Sequence, residues 1–175
     1  VVVSLVGPSA VAIGETFNVQ VFVRENNAEA NGFRGGPLDL HFTASRLQVS
    51  LVDGFTPAAV LSSAFTALGP DYTSGTLSNT IGLIDELGGA TTANGLGEGA
   101  APGVLYATIP FRATASGACT VSLAAGQTGL SLTPPVGVVP PAAIDYGVPL
   151  LITVREGVTL AVDGITVVRI DTPYS

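Results

Sequence analysis

Apolar and polar side chains alternate along most of this chain, and in an extended strand alternation sends successive side chains to opposite faces. The stretch ETFNVQVFVRENN sets Phe17, Val19, Val21 and Val23 in one phase, and PLDLHFTA sets Leu38, Leu40 and Phe42 against Asp39, His41 and Thr43. RLQVSLVDG keeps Leu47, Val49 and Leu51 in phase, SSAFTALG is looser, and TLSNTIGLIDEL reads as one further strand. In GVLYATIPFRATASGACTVSLAAG, a turn at Gly117 separates two alternating runs. The first places Leu105, Ala107, Ile109, Phe111 and Ala113 on a core face, and Tyr106 and Arg112 on a face expected to meet water. The second puts Cys119 in phase with Val121 and Leu123. Half-buried strands of this kind belong to antiparallel sheets.

VVVSLVG opens the chain as a strand without strict alternation, as though covered on both faces. Turn residues recur between the runs at the spacing of an all-β sandwich and not of βαβ units. Residues 88–103 and 132–147 are too rich in Gly, Ala and Pro for a central sheet and read as long surface loops, either contact regions or simple connectors. Beyond them, Glu156-Gly157 and Asp163-Gly164 punctuate alternating runs, which predicts a C-terminal β meander of up to three strands. The expected fold is an antiparallel β-sandwich of jelly-roll type, about nine strands plus that meander, divided into a sandwich over 1–163 and an extra strand and tail over 164–175.

Composition sharpens this picture. A chain of 175 residues can bury roughly 70% of its unfolded surface, enough for one core without metal or disulfide staples. It has 22 glycines, 12 prolines, no Met and no Trp, which favours short strands over helices. Mean hydropathy is high at +0.55, yet no apolar run approaches a membrane span. The net charge is −7, every basic residue is arginine, and no two lie close together, so neither a nucleic-acid backbone nor an anionic membrane has a basic stripe to bind. The single cysteine, Cys119, rules out a disulfide framework and reads as a buried thiol. An opening Val1 without a basic segment is expected of a mature or excised part of an exported protein.

Catalytic and metal chemistry find little support in the pattern. The sole histidine, His41, lies on a strand beside Asp39, and no G-x-S-x-G elbow is present. Asp85 and Glu86 are adjacent on a strand, so they should face opposite ways and could flank one bond only across a bend. The IDELGG segment with Glu98 offers carboxylates without a calcium-loop ligand series. With no Trp, and with Tyr72, Tyr106, Tyr146 and Tyr174 beside core-phased Phe, an aromatic platform for glycan is poorly supplied. No catalytic residue, metal site or cofactor is expected.

The order VSLVG, GETFNVQVFV, PLDLHFTASRLQVSLVDG, LIDELGG and GVLYATIPFRATASGACTVSLAAG resembles a cohesin domain or a cohesin-like relative over residues 1 to about 163. The resemblance implies a nine-stranded jelly-roll sandwich, non-catalytic, extracellular or on a cell surface, that binds a dockerin-type partner through a flat sheet face. Carried over by position, that face would include Gly35, Gly36, Pro37, Asp39, His41, Tyr72 and Asp85. Cellulosomal cohesins place polar side chains where this chain has Gly35, Gly36 and Pro37. The alternative function is a structural subunit of a surface layer or fibre that binds copies of itself through apolar strands at its termini, with Ile165, Val167 and Val168 as anchors. A carbohydrate-binding module is a third reading.

Overall fold

A computed structural model of the chain describes residues 1–26, 32–51, 54–67, 75–93, 96–97, 101–126, 129–132 and 137–156. The described elements are nearly all strand: β1 (Val2–Val6), β2 (Ala10–Ala12), β3 (Thr16–Arg24), β4 (Phe33–Phe42), β5 (Leu47–Val49), β6 (Thr66–Ala67), β7 (Thr76–Ser78), β8 (Leu83–Ala90), β9 (Val104–Ala113), β10 (Gly117–Ala125), β11 (Leu130–Leu132), β12 (Val138–Val139) and β13 (Leu150–Arg155). One short helix, α1 (Pro57–Val60), starts at Thr56, whose side chain accepts the Ala59 N–H. The expected all-β sandwich is therefore what forms.

One sheet has the order β1-β3-β9-β5. The other is built on β4, which pairs along one edge with β8 and along the other with β10 and then β11. β6 and β7 extend this second sheet beyond β8, and β13 and β2 extend it beyond β10, the β13–β2 pair being parallel. The inward phases join in one core: Val19, Val21, Leu47, Ile109 and Phe111 from the first sheet meet Leu38, Leu40, Ile84 and Val121 from the second, all fully buried. Phe111 stacks on Phe17 at 6.0 Å and meets the edge of Phe42 at 5.2 Å. Cys119 is buried as expected.

Three expectations are corrected. Tyr106 does not meet water; it is completely buried. Val21 pairs with Ala107 but Phe22 with Leu105, so Tyr106 is an extra residue in β9, and this bulge turns its side chain inward. Its hydroxyl accepts the Gly89 N–H and donates to the Gly36 carbonyl at 2.7 Å, linking β9 of one sheet to β4 and β8 of the other. Phe65 and Phe33 pack against its ring at 4.9 and 5.7 Å. Arg112, by contrast, is exposed.

Second, TLSNTIGLIDEL is not one strand but the β7–β8 hairpin, with Ser78 opposite Leu83. Third, the glycine-rich segment after Leu87 begins inside the sheet: Gly88, Gly89 and Ala90 pair with Pro37, Gly36 and Gly35. The absence of side chains there is what allows it. A Cβ on Gly35 would strike the Gly89 carbonyl, and one on Gly89 would lie 2.9 Å from the Leu61 methyls. Gly35 and Gly36 also hold φ values of +143° and +138°, a region L side chains rarely adopt. Of the C-terminal meander, β13 forms the first strand; the remainder, with the division at residue 164, lies outside the described residues.

Burial pushes the Tyr106 phenol well above its ordinary value of 10, desolvation outweighing the hydrogen bond from Gly89. The folded chain thus holds this proton more tightly than the unfolded chain. The associated stability is complete below about pH 10 and is lost as pH rises further. Tyr106→Phe, which strands a buried N–H and carbonyl, should lose about 1–3 kcal/mol near neutral pH and show a shallower decline above pH 10 in urea titrations. Phe111→Ala should cost about 3–5 kcal/mol by the same measurement, the range for truncating a buried aromatic.

Candidate partner-docking face

The outward surface of β10, β4 and β8 is a sheet face whose floor is fixed from beneath by Leu38, Leu40 and Ile84. At one end His41 is exposed, with Ser122 of β10 and Leu83 of β8 directly opposite it. Thr43 and Thr120 continue the face, the Thr120 N–H donating to Thr43 Oγ1 at 3.0 Å. Leu151 of β13, opposite Thr120, is 69% exposed.

At the centre, β8 carries a bulge of its own. Leu38 pairs with Leu87 and Leu40 with Ile84, so two residues, Asp85 and Glu86, stand opposite Asp39 alone. Glu86 takes a φ of +55°, the left-handed region, and its N–H donates to Asp39 Oδ1 at 2.9 Å. The expectation that Asp85 and Glu86 face apart is corrected here: the bulge supplies the bend. The carboxylates of Asp39, Asp85 and Glu86 each offer an oxygen within 4.8 Å of the others. Among the described residues this is the group with the geometry to share a cation, whether a metal ion or a partner's guanidinium or ammonium.

Glu86 is buried, and its two carboxylate oxygens lie against Gly126, where a Cβ would sit 3.1 Å from each. Its side chain therefore reaches toward the end of β10, past β4. Tyr146 borders this region; its phenol is raised by burial first and then by the negative charge of Asp39.

The sequence-derived site residues thus fall in three groups. Asp39 and Asp85 are half-buried and sit together, with exposed His41 one residue pair away on β4. Gly35 and Pro37 are buried and Gly36 half-buried, all three paired with β8. Tyr72, Glu98, Ile165, Val167 and Val168 lie outside the described residues. Glu86 was missed as a neighbour of Asp39, because a bulge in β8 leaves no mark in the alternation.

Two sheets in this arrangement, with β4 central to one and β3–β9 central to the other, make a β-sandwich. No protein-family model matches the sequence, and no curated protein matches it. Among solved structures, the fold is similar to the cohesin module of a family 33 glycoside hydrolase from Clostridium perfringens ATCC13124, with a TM-score of 0.61 over 89% of this chain and 96% of that module, at 8% sequence identity. The cohesin-like fold rests on that similarity.

Asp39→Ala removes the acceptor that holds the Glu86 N–H in the bulge. It should lower stability by about 1.5–3 kcal/mol, as for a hydrogen bond to a charged group, and speed hydrogen exchange at the Glu86 amide while the Val19 and Ile109 amides stay protected.

Proposed function

We propose that the chain is a non-catalytic, cohesin-like module that works outside the cell and docks a partner protein of the dockerin type on the outward face of β10, β4 and β8. The similarity to a cohesin module across nearly the whole chain carries this reading. The face supports it in chemical terms. It is open at His41, Thr120 and Leu151 and carboxylate-bearing at Asp39, Asp85 and Glu86, so it offers hydrogen bonds, an apolar contact and charge on a rigid floor. Among the described residues, no helix is long and apolar enough to cross a membrane.

Isothermal titration of the chain against a panel of dockerin modules tests the proposal. At least one should bind, and His41→Ala and Asp85→Arg should each weaken that binding by about tenfold or more, whereas Arg112→Ala on the opposite sheet should leave it unchanged. A panel with no binder, or a footprint on β1-β3-β9-β5, would overturn it.

A further inference from the structure

Among the described residues β5 ends the first sheet, and its outer edge is closed by a side chain from the opposite sheet. Ser50 N–H donates to the Pro110 carbonyl and Thr114 N–H to the Arg46 carbonyl, so residues 46, 48 and 50 turn their main-chain groups toward β9. Leu47 and Val49 turn theirs outward. The Leu47 N–H is taken up within its own turn by the Thr43 carbonyl at 3.0 Å. The Val49 N–H donates to Asn79 Oδ1 at 2.8 Å, and the Val49 carbonyl accepts from Asn79 Nδ2 at 3.3 Å.

A carboxamide carries one acceptor and one donor group side by side, as a peptide unit of a neighbouring strand does. Asn79 sits in the β7–β8 turn, which belongs to the second sheet, so it reaches β5 from across the sandwich. The other edge of the same sheet is guarded too: Val3 N–H donates to the Asp145 carbonyl at 2.7 Å and Asp145 N–H to the Val1 carbonyl at 2.9 Å. Sheet edges commonly carry lysine or proline to prevent pairing with another chain. β5 has neither.

We propose that Asn79 is an edge plug: its carboxamide stands in for a pairing strand on β5 and keeps that edge from pairing with the same edge of a second copy of this chain. Leu47 and Val49 point into the core and only Gln48 of β5 is exposed, so apart from the shortness of β5 and the turn bond of the Leu47 N–H, no side chain of β5 opposes a strand laid along it. The plug acts on a different sheet from the docking face and does not depend on the docking reading.

Asn79→Ala and Asn79→Ser, whose shorter hydroxyl cannot span both Val49 groups, are compared with the wild type by light scattering across a concentration series and by amide hydrogen exchange. In dilute solution the Val49 amide of both variants should exchange at least about tenfold faster than in the wild type, since its partner is gone. As concentration rises, their mass should exceed that of the wild type and the Val49 amide should regain protection. A folded variant whose mass follows the wild type at every concentration overturns the proposal, as does association that leaves the Val49 amide open. If Asn79→Ala does not fold, Asn79→Ser is decided by the same two readings.

Discussion

The hydroxyl of Tyr106 is the interaction on which the second sheet depends at its centre. Gly35 and Gly36 carry β4 through a backbone region closed to other residues, and Gly88 and Gly89 bring β8 against it without side chains. The result is a sheet segment with main-chain polar groups turned into an apolar interior. A buried N–H or carbonyl without a partner costs about 1–3 kcal/mol. One phenol, delivered from β9 by a bulge, serves both the Gly89 N–H and the Gly36 carbonyl. The seam between β4 and β8 is thereby held on its inner side by the other sheet, and the carboxylates of half-buried Asp39 and Asp85 and of buried Glu86 inherit a fixed spacing from it.

The bulge at Tyr106 in the first sheet and that at Asp85–Glu86 in the second divide what the sequence reveals from what it hides. Where alternation runs unbroken, as from Phe17 to Val23, Leu38 to Phe42 and Ile109 to Ala113, the side-chain pattern alone identifies the buried face, and those residues form the core. A bulge adds one residue to one strand and shifts the phase of everything beyond it. Tyr106 keeps the parity of a surface residue in the sequence and becomes an interior one. Glu86 keeps the parity opposite to Asp85 and joins it on the same patch as Asp39. The shift is written in the pairing of distant strands, and no single strand records it.

Glycine misled for a related reason. Runs of glycine signal loops because the unfolded chain has most freedom there, yet Gly88 and Gly89 lie in a sheet, where a Cβ on Gly89 would meet the Leu61 methyls and the Phe65 Cβ. Their partners Pro37 and Gly36 lie about fifty residues earlier in the chain, and only the pairing shows why both runs are needed. The cohesin-like order of strands was legible because core phasing survives large sequence change. The contacts that hold those strands in register, Tyr106 across the sheets and Asn79 on the edge of β5, arise from single side chains meeting remote backbone and have no signature in composition or period.

The glycine seam also limits how this surface can vary. At Gly35, Gly36 and Gly89 an added side chain meets neighbouring atoms, and at Gly35 and Gly36 it also meets an unfavourable φ. A mutation there alters the scaffold before it alters recognition. In the proposed docking role, any change in what the face selects would therefore be written beside the seam, at Asp39 to Thr43 with Asp85 and around Tyr146 and Gly126. The middle of the surface is a constant region made of main chain, and the capacity to diverge lies at its margins.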